Sequence, residues 1–115
     1  NKRNDEGKTP IFNACKIGNI NMVKCLVEFG ANVNDQTNNG DSLLSFACES
    51  RNEDLIRYLI EQGADVNKES KGGETPLFNA CASGNVKIVQ YLIEHGAEID
   101  KENKKGETPL FVALD

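Results

Sequence analysis

Few residues in this chain of 115 are of the types that carry out chemistry. They are one histidine, four cysteines and a serine in the run Gly40-Asp41-Ser42-Leu43. A serine attacks an ester only with a base in hydrogen-bond reach, and that base needs an orienting partner of its own. The sole histidine, His95, follows Ser42 by 53 residues. Cys15, Cys48 and Cys81 are spaced 33 residues apart. Stacked helices lie ~8–10 Å apart, a disulfide needs Cα atoms within ~7 Å, and zinc needs thiolates at ~2.3 Å from one ion. These three cysteines are therefore expected to be small buried apolar residues. Cys25 lies off that register, where Tyr58 and Tyr91 stand later, and is the expected accessible thiol. His95 has no His or Cys at ligand spacing. It is expected beside a helix C-terminus, where the dipole favours a donor. Gly72-Gly73 reads as a loop tip. No metal or cofactor is expected.

The elements that position these residues follow from a repeat. Gly7, Gly40, Gly73 and Gly106 are 33 residues apart, as are Gly30, Gly63 and Gly96, each followed by Ala. Thr9-Pro10-Ile11-Phe12 recurs as Thr75-Pro76-Leu77-Phe78 and Thr108-Pro109-Leu110-Phe111, with Ser42-Leu43-Leu44-Ser45 in register. Thr9, Ser42, Thr75 and Thr108 are expected helix caps, and the prolines fall at the first helical position. This alignment reads Ser42 as a cap in preference to a nucleophile. The first helix should end at Gly18 or Gly84. Asn19, Asn52 and Asn85 should cap the second, whose stripe is Met22-Val23-Leu26-Val27, Leu55-Ile56-Leu59-Ile60 and Ile88-Val89-Leu92-Ile93. Polar turn-forming residues link the units.

The run Gly-x-Thr-Pro-Leu, then Ala-Cys, Gly-Asn, an Ile-Val-x-x-Leu-Ile core and Gly-Ala-x-Val-Asn closely resembles the ankyrin repeat, over the whole chain. The resemblance implies an all-α repeat solenoid of antiparallel helix pairs with hairpin-like loops. Its concave face would be built from loops and first helices. It also implies one domain, 1–115, of units 1–33, 34–66, 67–99 and a partial 100–115. Where the family has His after Thr-Pro-Leu, this chain has Phe12, Ser45, Phe78 and Phe111, so cross-repeat bonding there must give way to packing or be lost. Repeat 2 lacks the Pro and has Arg51 where Gly is usual. A left-handed Arg costs roughly 1 kcal/mol, so that turn should be strained or differently shaped. Asn34 and Asn67 resemble asparagines hydroxylated in some family members. Gly40-Asp41-Ser42-Leu43 also matches the nucleophile motif of a hydrolase family, whose Asp-x-x-His pattern is absent.

The net charge of −5 argues against nucleic acid as the partner, because phosphate affinity comes from clustered Lys and Arg. No apolar run reaches the ~18 residues that span a membrane. Four cysteines without a framework suit a reducing compartment: the cytoplasm is expected, with the nucleus or a host cytosol as the alternatives. The chain is expected to be a monomer. The leading reading is a non-enzymatic module that binds another protein. A spacer in a longer array is the alternative, and a serine hydrolase through Ser42 is the remote one.

In a solenoid the non-repeated surface is free for recognition. The resemblance puts the partner at the loop tips Asp5-Glu6, Asn38-Asn39, Lys71 and Lys104-Lys105. It adds the residues after each loop glycine (Lys8, Asp41, Glu74, Glu107) and the first-helix ends Lys16, Glu49 and Ser83. Residues 34–66 carry two basic and seven acidic side chains, −5, read either as steering for a basic partner or as a solvated face. Phe46 stands where Asn13, Asn79 and Val112 stand in the other units. It is an interface anchor or, if Ser45 and Phe46 exchange roles with Phe12 and Asn13, part of the core. The start at Asn1, inside a loop, and the apolar Phe111-Val112-Ala113-Leu114 without a covering helix predict a segment of a longer array.

Overall fold

The computed structural model describes residues 10–114. Among the described residues seven helices follow one another: α1 (Pro10–Ile17), α2 (Ile20–Glu28), α3 (Leu43–Ser50), α4 (Glu53–Glu61), α5 (Pro76–Ser83), α6 (Val86–Glu94) and α7 (Pro109–Leu114). Among the described residues the only β-type pairing is an isolated bridge between Gln36 and Ser42. The fold is an all-α repeat solenoid.

The helix boundaries follow from their capping residues. Asn19, Asn52 and Asn85 each accept from the backbone N–H three residues on, at 3.1, 3.1 and 3.3 Å, satisfying donors a helix start leaves orphaned. Ser42 Oγ accepts from Ser45 N at 3.2 Å, and Thr108 Oγ1 from Phe111 N at 3.3 Å. Thr75 does not act as the expected cap. Phe78 N donates to the Thr75 carbonyl instead, at 3.0 Å, which leaves the buried Thr75 Oγ1 with no partner among the described residues. Thr9 lies outside those residues.

Arg51 adopts the left-handed conformation (φ 61°) that Gly84 adopts after α5 (φ 74°). The turn keeps the shape of its glycine counterpart and carries the strain. The guanidinium has a compensating contact, donating to the Ser83 carbonyl at the end of the next first helix.

First helices stack closely on first helices (α1 on α3, α3 on α5, α5 on α7), while each second helix packs mainly on its own first helix. Layers are thus joined most closely on the first-helix side. The core runs through the layers as Leu43, Leu44, Leu55, Ile56, Leu59, Leu77, Ile88 and Leu92, all fully buried. Of the expected second-helix stripe, Val23, Leu55, Ile56, Leu59, Ile88 and Leu92 are buried, and Leu26, Val27, Ile60 and Val89 are partly buried. Met22 is exposed although Leu55 and Ile88, in the same register, are fully buried, and Ile93 is exposed at the other end. Phe12 and Phe78 are buried, so packing takes the place of the absent histidines in repeats 1 and 3.

Candidate functional site

The loops between layers form one continuous edge. Thr37 N donates to the Asp41 carbonyl at 3.0 Å and Gly40 N to the Thr37 carbonyl at 2.9 Å; Ser70–Glu74 and Asn103–Glu107 repeat the pattern. These are three-residue hairpin turns closed by a left-handed residue. The closing residues, Gly40 and Gly73, have φ near 80°. A Cβ on Gly40 would lie 3.0 Å from Lys71 N, and one on Gly73 would lie 3.1 Å from Lys104 N. The reason is that successive tips touch. Lys71 N donates to the Asn39 carbonyl and Lys104 N to the Gly72 carbonyl, both at 2.9 Å.

Side chains fix this edge further. Gln36 Nε2 bridges the Gly40 carbonyl at 2.7 Å and the Glu69 carbonyl of the next layer at 3.0 Å. Thr37 Oγ1, Ser70 Oγ and Asn103 Oδ1 each accept from the N–H four residues on. That role was not read from the sequence, although a short oxygen-bearing side chain at 33-residue intervals was its signal. Asn34 and Asn67 clasp the layer that follows. Asn34 Nδ2 donates to the Gly63 carbonyl at 3.1 Å while its Oδ1 accepts from Asp65 N at 2.8 Å. Asn67 does the same with Gly96 and Glu98, both at 2.9 Å. Lys101 meets Glu69 at 2.9 Å across the same junction, and that contact raises the Lys101 pKa.

The expected contact residues other than Phe46 fall into three groups. Asn38, Asn39, Lys71, Lys104 and Lys105 are exposed at the tips, with Glu74 beside them, and Lys16 and Glu49 are exposed on first helices. Asp41, Ser83 and Glu107 are half-buried. The Ser83 hydroxyl is engaged with the Ala80 carbonyl at 2.8 Å. Asp5, Glu6 and Lys8 lie outside the described residues.

Glu49 and Glu74 are tied across layers, Asn79 Nδ2 donating to Glu49 Oε1 at 2.9 Å and Asn103 Nδ2 to Glu74 Oε2 at 3.3 Å, while Glu107 Oε1 accepts from Asn103 Nδ2 of its own loop at 3.0 Å. A small polar recess at the junction of repeats 2 and 3 is lined by Asp41, Ser42, Ser45, Lys68, Ser70 and Glu74 among others.

Phe46 is corrected. It is only 9% exposed and lies in the hydrophobic core, its ring edge-on to Phe12 at 5.7 Å. The small Ser45, bonded to the Ser42 carbonyl at 2.7 Å, takes the register position of Phe12. An aromatic ring one residue later completes the packing.

Ser42 and His95 are held in structural roles. Ser42 is buried with its Oγ at the Ser45 amide. His95 Nδ1 donates to the Tyr91 carbonyl at 2.8 Å, and its ring lies against Tyr91 at 4.1 Å, the expected place beside a helix end. The four cysteines are free; Cys15 and Cys48 are buried and Cys25 is exposed. Burial pushes the Cys15 thiol up to about 12, and burial with the Glu49 charge pushes Cys48 to about 12. Cys81 is raised by burial as well, though it is only half-buried. Among the described residues no cluster of His, Cys, Asp and Glu could hold a metal ion, and no helix is long and apolar enough to cross a membrane.

Opposite the loop edge, Lys24 lies over the Tyr58 ring and Arg57 over the Tyr91 ring, each 5.5 Å from the centroid. These cation–π contacts join successive second helices. The adjacent basic–Tyr pairing in the repeat columns was their sequence signal.

The sequence matches the family model for ankyrin repeats (3 copies) over residues 1–70 and 63–115. A search of curated proteins gives no match.

Proposed function

The chain belongs to the ankyrin repeat family, and we propose that it is a non-enzymatic module binding another protein through its loop edge and first helices. Ankyrin repeats are generally protein–protein interaction modules and typically not enzymes. The observation that carries the reading for this chain is the ladder of backbone bonds from Asn39 to Lys71 and from Gly72 to Lys104. It supports a pre-organised edge, on which exposed side chains bind with little ordering cost.

The proposed contact residues are Lys16, Asn38, Asn39, Glu49, Lys71, Glu74, Lys104 and Lys105, with Asp41, Ser83 and Glu107 at the margin. Asp5, Glu6 and Lys8 complete the set on sequence grounds. The free thiols support a reducing compartment, and we place the protein in the cytoplasm.

The test is capture with the purified chain against a variant carrying Glu49→Lys, Glu74→Lys, Lys71→Glu and Lys104→Glu together. A partner retained by the parent and lost by the variant upholds the reading. No partner under any condition leaves a spacer, and ester turnover abolished by Ser42→Ala would make the chain a hydrolase.

A further inference from the structure

We propose that Asn39 is a modification site: when the loop tip that carries it opens, its carboxamide is lost to attack by the neighbouring Gly40 nitrogen, and the product uncouples the tips of repeats 2 and 3. Asn39-Gly40 is the only Asn-Gly pair in the chain. With no Cβ on the following residue, the steric barrier to ring closure between its nitrogen and the Asn side chain is low. The equivalent positions of the later tips hold Gly72-Gly73 and Lys105-Gly106, so among the described tips only this one sets a carboxamide before the glycine. Asn39 is exposed, and its side chain has no hydrogen-bond partner among the described residues. The glycine is also obligatory here, since its φ is 80° and a Cβ would lie 3.0 Å from Lys71 N.

The reaction needs only water. The Gly40 nitrogen bonds to the Asn39 side-chain carbonyl carbon, the bond from that carbon to Nδ2 breaks, and ammonia leaves with the proton from the Gly40 amide. Water then opens the resulting succinimide ring at either carbonyl. Opening at the side-chain carbonyl leaves aspartate. Opening at the main-chain carbonyl leaves isoaspartate, whose main chain runs through the side-chain carbon and is one methylene longer.

The closed tip restrains this chemistry. The attacking form is the deprotonated Gly40 nitrogen, and in the fold that N–H donates to the Thr37 carbonyl at 2.9 Å. Gln36 Nε2 holds the Gly40 carbonyl at 2.7 Å and ties it to the Glu69 carbonyl at 3.0 Å. Attack therefore follows local opening of the loop. The product acts on the ladder between tips. The Asn39 carbonyl is the acceptor for Lys71 N at 2.9 Å. The succinimide removes the Gly40 N–H, and isoaspartate turns the Asn39 carbonyl into a free carboxylate off the main chain. A neutral residue of the proposed contact surface also becomes negative. That effect on recognition rests on the contact surface proposed above, whereas the modification itself does not.

The experiment incubates the full chain, with no partner, in heavy-oxygen water at mildly alkaline pH, in buffer and in denaturant, followed by peptide mapping with mass spectrometry. Asn39 should be the first asparagine converted, each product carrying one heavy oxygen and isoaspartate being among them. Conversion should be about tenfold or more slower in the native chain than in denaturant. Gln36→Ala should raise the native rate about threefold and leave the denatured rate unchanged. In hydrogen exchange the purified isoaspartate form should lose protection at the Lys71 amide, whereas Asn39→Asp, with its main chain intact, should keep it. No conversion at Asn39 in denaturant overturns the proposal, as does another asparagine converting first in the native chain. Equal rates in buffer and denaturant overturn it too, as do a Gln36→Ala rate equal to the parent's and an isoaspartate form with Lys71 still protected. A charge-reversed variant that keeps its partner would sink the contact surface and leave these results standing.

Discussion

Phe46 of α3 meets Phe12 of α1 edge to face, with ring centroids 5.7 Å apart and planes at 80°. This pair joins the first two layers at a place where the neighbouring Ser45 is too small to fill the space. Phe46→Ala should therefore cost about 3 kcal/mol of stability, the lower end for a buried Phe→Ala change. Urea denaturation measures it. A loss below about 1 kcal/mol would return Phe46 to the surface.

Ser42 and Thr75 begin equivalent helices but bond differently. Ser42→Ala removes a cap and should cost about 1 kcal/mol. Thr75→Val removes only a buried hydroxyl that has no partner and should be neutral or slightly stabilising. Thermal melts of the two variants under one set of conditions compare them. Equal losses would contradict the assignment.

How far the sequence reached depended on whether a residue's role repeats. Asn19, Asn52 and Asn85 were legible as caps because three columns of one residue type each precede the same apolar stripe. Phe46 was not decidable, because its column reads Asn13, Phe46, Asn79 and Val112, and only the neighbouring layer determines which way a ring turns. Met22 was misjudged for a related reason. Its residue type matches Leu55 and Ile88, but burial needs a preceding layer, which a column cannot register. The clasps of Asn34 and Asn67 span about 30 residues, beyond any local pattern. The contact surface was the least legible, since residues that vary between repeats have no internal copy to compare with.

Arg51 holds a left-handed backbone while its guanidinium reaches Ser83. Arg51→Ala keeps the strain and loses the contact, whereas Arg51→Gly relieves the strain. The Gly variant should exceed the Ala variant in stability by about 1 kcal/mol. An Ala variant as stable as the Gly variant would show that the turn is not strained.

The thiols should separate by reactivity and by pH. In the native protein at pH 8, iodoacetamide should modify Cys25 first and Cys81 more slowly. Cys15 and Cys48 should react only on unfolding, because the thiolate is the reacting form and burial holds both near 12. Their folded pKa values lie above the unfolded value of 9.0, so the folded state keeps protons that the unfolded state releases. Their contribution is intact below about pH 9 and is lost as pH rises towards 12. Denaturation at pH 7.5 and pH 10 should show that decline, and it should shrink in a Cys15→Ala, Cys48→Ala double variant.

The central claim is that recognition uses the loop edge and first helices. A photo-crosslinking residue placed at Asn38, on a loop tip, should capture a partner protein, and the same residue at the exposed Gln90 of α6 should not. Capture from position 38 that disappears in the four-fold charge-reversed variant is the expected result. Capture of the same partner from position 90, with none from position 38, would contradict the account.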